Sequence, residues 1–269
     1  MQPILVPGGT GRLGRQVVSR LRDRGYPVRA LSRHSHEATE GIEFVRGNLA
    51  TGEGIEAAAQ GIETIVFCAG SFNGDKEQVQ NLIRAASQAG ARHLVYISVV
   101  GADRVPMASF VDRAMFAYFA SKVATERVVA DSGLAWTTLR AAQFYDAFLL
   151  VAQQMAKLPI IPVPSGFKFQ PIDTGEVANR LVELALGAPA GLAPDIAGPQ
   201  VYGMDELLRA YLQARHMSRP FVPVWLPGKA ARAIRDGAIL ALDRAVGQRT
   251  WEEFLADQVS ASSSGSSLP

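Results

Sequence analysis

Pro3-Ile4-Leu5-Val6-Pro7-Gly8-Gly9-Thr10-Gly11-Arg12-Leu13-Gly14 opens the chain with a short apolar run that stops at a glycine-rich turn. Leu13, Val17, Val18 and Leu21 follow at the spacing of one helix face. The stretch therefore predicts a strand, a tight turn and a helix, in that order. Gly8, Gly11 and Gly14 make the pattern G-x-x-G-x-x-G rather than the commoner G-x-G-x-x-G. A glycine can take positive φ, and its missing Cβ lets the backbone come close to a diphosphate. Phosphate is favoured at a helix N-terminus by open N–H groups and by the macrodipole. In this setting the turn predicts dinucleotide binding.

Working outward, Pro27-Val28-Arg29-Ala30-Leu31 predicts a second strand that ends at Ser32-Arg33. An NAD-binding fold would place an acidic residue near this point to hold the ribose 2′-hydroxyl. Here Ser32 and Arg33 supply a hydroxyl and a cation instead, which is the chemistry of a 2′-phosphate site. NADP(H) is thus expected over NAD(H). Residues 42–46 predict a third strand, followed by Gly47-Asn48-Leu49 where an adenine would lie. Residues 53–60 predict a short helix, and residues 64–67 a fourth strand closing on the small residues Cys68-Ala69-Gly70. A helix is expected over 75–89 and a fifth strand over 93–98, delivering Ser98 at its C-terminal end. The alternation argues for a doubly wound parallel sheet of Rossmann type, whose ligands bind at the C-terminal ends of the strands.

After a loop expected over 99–115, a helix carries Tyr118-Phe119-Ala120-Ser121-Lys122. Tyr118 and Lys122, four apart, share a helix face. An ammonium near a phenol lowers its pKa, so Lys122 is expected to turn Tyr118 into a proton donor or acceptor near neutral pH, with Ser98 holding a substrate oxygen. The alternative reading is an exposed Lys122 and a Tyr118 packed under the loop.

These features resemble the atypical short-chain dehydrogenase/reductase superfamily, in particular its NmrA-like branch. The likeness rests on the glycine turn, on Val28 to Arg33, on Tyr96-Ile97-Ser98-Val99-Val100-Gly101, on Tyr118 to Lys122 and on Leu139-Arg140-Ala141-Ala142-Gln143-Phe144. Gln170-Pro171-Ile172-Asp173-Thr174-Gly175-Glu176-Val177-Ala178 and Arg249-Thr250-Trp251-Glu252-Glu253-Phe254 resemble later landmarks of the same group. The resemblance implies Gly8, Gly11, Arg12 and Leu13 at the diphosphate, with Thr10 and Gly14 in the same turn, and Arg33 beside Ser32 at the 2′-phosphate. It places Asn48 and Leu49 at the adenine, Cys68, Ala69 and Gly70 along the ribose, and Ala142, Gln143 and Phe144 at the nicotinamide. Ser98, Tyr118 and Lys122 match the catalytic serine, tyrosine and lysine of active reductases, Ser98 and Lys122 also touching the cofactor. Asn48 stands where the group often has aspartate, and residues 106–116 look longer than in relatives.

Composition bounds the rest. The chain has 269 residues, 48% hydrophobic and 19% charged, with a formal charge of +2. That suits one or two compact domains and gives no reason to expect nucleic acid as a partner. Cys68 is the single cysteine, which excludes an internal disulfide and fits a reducing compartment. It reads as a core thiol. His34, His36, His93 and His216 show no metal-ligand spacing and read as loop and surface residues, so no metal is expected. With the first strand at the N-terminus and no apolar run long enough to span a bilayer, a cytoplasmic protein is expected.

The expected organisation is a dinucleotide-binding core over 1–150, a small C-terminal substrate or lid subdomain over 151–259 with elements returning to the core, and a flexible tail over 260–269. Residues 158–164 read as a proline-rich link, 194–199 as a strand with its turn, and 229–246 as a helix. The last of these, with 221–227, forms a lid over an apolar or aromatic substrate, a core or a dimer face, the chain being a monomer or homodimer. The functional expectation is an NADP(H)-dependent oxidoreductase passing hydride to a carbonyl or quinone-like molecule. Its rivals are a redox-sensing regulator without turnover and a sugar-nucleotide epimerase.

Overall fold

A computed structural model describes residues 1–37, 39–70 and 75–264. Its strands β1 (Ile4–Pro7), β2 (Val28–Ser32), β3 (Ile42–Arg46), β4 (Thr64–Phe67), β5 (His93–Val99) and β6 (Trp136–Ala141) alternate with helices α1 (Arg12–Asp23), α2 (Ile55–Ala59), α3 (Lys76–Gln88) and α4 (Phe110–Ala130). There follow α5 (Tyr145–Met155), β7 (Ile161–Pro164), β8 (Lys168–Phe169), α6 (Thr174–Leu186), β9 (Gly191–Leu192), β10 (Tyr202–Gly203), α7 (Met204–Ala214), β11 (Phe221–Val224), α8 (Lys229–Arg235) and α9 (Trp251–Ser264). The chain divides into two compact units, neither of them contiguous in sequence.

The first unit comprises Met1–Asp103, Ala117–Arg140 and Thr174–Pro194. Its sheet runs in the order β3-β2-β1-β4-β5-β6-β9. β1 pairs in parallel with both β2 and β4, so the strand order reverses beside the glycine turn, the place where a doubly wound sheet opens a binding crevice. The period of two along each strand splits the core. Leu5, Leu31, Ile65, Phe67, Leu94 and Tyr96 pack with α2, α3 and Val129 of α4. On α1, Val17, Val18 and Leu21 are buried, and Arg20 Nε donates to Asn179 Oδ1 of the adjacent α6 at 2.6 Å. Thus α6 and β9 are the elements beyond residue 151 that belong to the core unit.

The second unit comprises Arg104–Phe116, Ala141–Asp173 and Asp195–Pro269. Its core gathers Tyr145, Phe148, Leu207, Tyr211, Trp251 and Phe254. Trp251 is fully buried, and its indole N–H donates to the Leu207 carbonyl at 3.0 Å, which satisfies the polar edge that burial would otherwise strand.

Several expectations change here. Residues 158–164 are not merely a link: β7 pairs in parallel with β11. The segment expected as a strand over 194–199 forms none, Ile196 and Ala197 making only isolated bridges, and the short β9 lies just before it. The helix expected over 229–246 stops at Arg235, where the chain turns through Gly237 at φ 91°. α9 continues through Ser264, into the segment read as a tail, and Ser260 Oγ bonds back to the Ala256 carbonyl; residues 265–269 lie outside the described residues. His93 is a core residue, its Nε2 2.9 Å from Thr137 Oγ1, and burial lowers its pKa.

The loop expected over 99–115 ends early, because α4 begins at Phe110. Ser109 and Asp112 cap it reciprocally: the Asp112 carboxylate accepts from Ser109 N–H and Oγ–H, and the Asp112 N–H donates to Ser109 Oγ. This is the S-x-x-D form of a capping box. Asp112 also accepts from Ala230 N–H in the first turn of α8 at 2.9 Å; that bond first, then those from Ser109, holds its carboxyl below the usual range. α4 leaves helical geometry at Phe116, two residues before Tyr118.

Candidate active site

The glycine turn is set by its own packing. A Cβ on Gly8, which has φ +78°, would stand 2.5 Å from Ala69 N, and one on Gly14 would stand 2.0 Å from the Gly8 carbonyl oxygen. Neither position tolerates a side chain while the turn keeps its shape. Gly11 caps α1 without a side-chain hydrogen bond, and no acidic residue sits in the first turn. Such a helix start suits an anion. At the end of β4, Gly70 is exposed with open space where a Cβ would stand. Cys68 carries a neutral thiol, pushed up to about 12 by burial.

At the ends of β2 and β3 the chain is basic. Arg33 is exposed, whereas Ser32 is buried, with its hydroxyl 2.9 Å from His36 Nε2 and accepting from His34 N–H at 3.1 Å. Asn48 folds onto its own turn, its Oδ1 accepting from Ala50 N–H. Asn81 on α3 donates to the Leu49 carbonyl at 2.9 Å and so fixes that turn.

On β5, Ser98 shares a face with Leu94 and Tyr96, the face covered by α3 and α4. Its side chain is buried, and Ser98 Oγ has no hydrogen-bond partner. A buried hydroxyl in that state points to a missing polar group. Lys122 Nζ donates to Asp75 Oδ2 at 2.7 Å, to Tyr96 Oη at 3.2 Å and to the Ile97 carbonyl at 3.2 Å. Both charged side chains are nearly inaccessible, at 6% and 1%. The same ammonium lies 5.8 Å from the centre of the Tyr118 ring.

This arrangement corrects the expectation that Lys122 lowers the pKa of Tyr118. Burial first, and then the negative charge of Asp75, pushes the Tyr118 phenol up to about 12. Asp75 offsets the ammonium that would otherwise favour phenolate. Burial and the same carboxylate drive Tyr96 up as well. Sequence reading missed Asp75 because it lies 47 residues from its partner, with no spacing to connect them.

Arg140 holds the surroundings in place. Its guanidinium makes a bidentate pair with Glu126 of α4 and reaches Asp103 at 2.8 Å. In the second unit, Ala142 N–H bonds to the Ile196 carbonyl, Phe144 precedes α5, and Gln143 Oε1 is buried without a partner. Among the described residues, no group of three or more histidine, cysteine, aspartate or glutamate side chains is placed to hold a metal ion. Among them, too, no helix is long and apolar enough to cross a membrane.

Residues 8–185 match a family model described as NAD(P)H-binding. The chain belongs to the NAD(P)H-binding family. This agrees with the NmrA-like resemblance. The chain is 33% identical over 203 residues to a (4-alkanoyl-5-oxo-2,5-dihydrofuran-3-yl)methyl phosphate reductase of Streptomyces griseus, over 73% of this chain and 68% of that protein. It is 28% identical over 227 residues to the photosystem II assembly factor Ycf39 of Synechocystis, over 77% of this chain and 65% of that one. The chain thus spans about two thirds of the length of these curated relatives. An NADPH-dependent quinone oxidoreductase from Escherichia coli shares the fold, with a TM-score of 0.78 at 19% identity over 95% of this chain and 99% of the other. An NAD(P)H cofactor fits the residues present: the uncapped α1 suits its diphosphate, and the unpartnered Ser98 hydroxyl lies at the C-terminal end of β5, where ligands of this fold bind.

Proposed function

We propose that this member of the NAD(P)H-binding family is a reductase that uses NADPH to reduce a carbonyl or quinone-like acceptor. The observation that carries the reading is Ser98 Oγ, buried without a partner on the strand whose Ile97 carbonyl accepts from Lys122. The glycine turn would hold the diphosphate on the N–H groups of α1, and Arg33 the 2′-phosphate; Ala69 and Gly70 would border the ribose. When bound, the cofactor supplies the hydride.

The chain's own groups then manage charge and proton. Ser98 donates a hydrogen bond to the acceptor oxygen as negative charge builds on it. Tyr118, fully protonated near neutral pH because its pKa stands at about 12, gives its phenolic proton to that oxygen. The raised value suits a donor during reduction and disfavours the reverse role of base in alcohol oxidation. Lys122, held by Asp75, fixes the ground beside Ile97 and Ser98. Two named relatives are a reductase and an assembly factor, so the fold alone does not choose between chemistry and regulation.

A non-catalytic redox-sensing role is the second reading, and one observation favours it: burial, with the Asp75 carboxylate, takes away the low-pKa tyrosine that the motif promised. The deciding experiment is NADPH oxidation against a panel of quinones, aldehydes and ketones, with Tyr118→Phe compared at matched fold and cofactor affinity. A reductase using the tyrosine loses about a hundredfold or more in turnover. Unchanged turnover moves proton delivery to another donor, and tight NADPH binding without turnover on any acceptor favours the sensor.

A further inference from the structure

The end of β2 holds more basic chemistry than a single arginine. Ser32 pairs in register with Arg46, and Ala30 with Phe44, so these four side chains lie on one face of the sheet. It is the face of the glycine turn, since a Cβ on Gly9 would stand 2.9 Å from Ala30 Cβ. The His36 ring packs on this face too, 5.0 Å from the Phe44 ring and with Nε2 2.9 Å from Ser32 Oγ. Arg29 and Glu43, one residue out of phase, pair with each other at 2.7 Å on the opposite face. The charged side chain that β3 offers beside Ser32 is therefore Arg46, which is exposed, as are Arg33, His34 and Glu37 on the segment of His36 itself.

We propose that His36 and Arg46 complete, with Arg33, a three-cation site for the 2′-phosphate of the cofactor's adenosine, His36 being positioned by Ser32. The inference rests on the NADPH reading above and extends it to residues that no glycine-fold pattern includes. Ser32 is then a positioning residue: its hydroxyl accepts from His34 N–H and orients the imidazole, while a phosphate oxygen takes its donors from Arg33, Arg46 and the imidazolium. The imidazole adds a donor to those of the two guanidinium groups, so its removal weakens the hold on the phosphate and leaves the rest of the adenosine untouched.

The test uses 2′,5′-ADP and 5′-AMP as probes, which differ by the 2′-phosphate alone, with affinities measured by calorimetry at pH 6. The proteins are the full chain, His36→Gln, Arg46→Ala and Arg33→Ala. For 2′,5′-ADP, His36→Gln should bind about tenfold more weakly than wild type at pH 6. Arg46→Ala should lose about tenfold as well, and 5′-AMP should bind every variant alike. Equal affinity of wild type and His36→Gln at pH 6, with Arg33→Ala still impaired, overturns the role of His36 and leaves the NADPH reading standing. Equal affinity of wild-type protein for the two probes overturns the NADPH reading and this site with it.

Discussion

Two polar clusters lie at the C-terminal ends of strands in the first unit, and they are built on opposite principles. At β5 the ammonium of Lys122 is spent internally, locked to Asp75, Tyr96 and a backbone carbonyl and shut off from water. At β2 and β3, Arg33 and Arg46 stand exposed beside a serine whose hydroxyl is held by a histidine. A charge already matched inside the fold shapes its neighbours' titration; a charge left at the surface is available to a ligand. The difference teaches that residue type alone does not reveal the role of a cation in a binding fold. Where its counter-ion sits does.

The sharpest way to break this contrast is to remove the internal counter-ion. Asp75→Ala leaves an unpaired ammonium in the interior and should destabilise the fold by about 3–5 kcal/mol in urea unfolding, with much of that loss recovered when Lys122→Met is added. If the single change costs nothing, the pair is not a closed unit. Asp75→Asn, a milder version, should bring the Tyr118 titration below its value of about 12, since the second cause of the upward shift is removed. Ultraviolet titration of tyrosinate, with Tyr118→Phe to assign the signal, reads this directly.

At the open cluster the expected effect is on binding rather than folding. Arg33→Ala should weaken NADPH by about tenfold or more while leaving NADH nearly unchanged and the unfolding midpoint in place. A comparable loss for both cofactors would count against a 2′-phosphate contact. The pH dependence of stability sharpens the contrast further. A tyrosine whose folded pKa of about 12 exceeds its ordinary value of 10 contributes stability that is full below pH 10 and is lost as pH rises through 12. Tyr118→Phe should flatten that part of the alkaline decline. The smallest effect belongs to an exposed pair such as Arg22–Asp23: Arg22→Ala should change stability by less than about 0.5 kcal/mol.

Much of the sheet was legible because its cues are local. β3 and β4 fall at the residues expected, and β2 and β5 end within a residue of them, since short apolar runs between turns carry their own signal. The start of α4 was legible in principle through Ser109 and Asp112, a capping pair three residues apart, yet the loop reading passed over it. His93 looked like a surface residue because its partner Thr137 is supplied by a strand far along the chain. Asp75 was invisible as a partner for the same reason. Tyr118 and Lys122 share a helix as their spacing requires, and what the spacing could not carry was the burial of the phenol and the carboxylate that offsets the ammonium beside it.

The glycine turn has a consequence for ancestry. Because Gly8 and Gly14 are required by the neighbouring backbone at Ala69 and at Gly8 itself, their replacement would disturb folding before it disturbed any ligand. A descendant that had abandoned cofactor and catalysis would still be under pressure to keep them. The motif is thus a lineage marker for the architecture, whereas the exposed arginines at the strand ends are free to drift once nothing binds there.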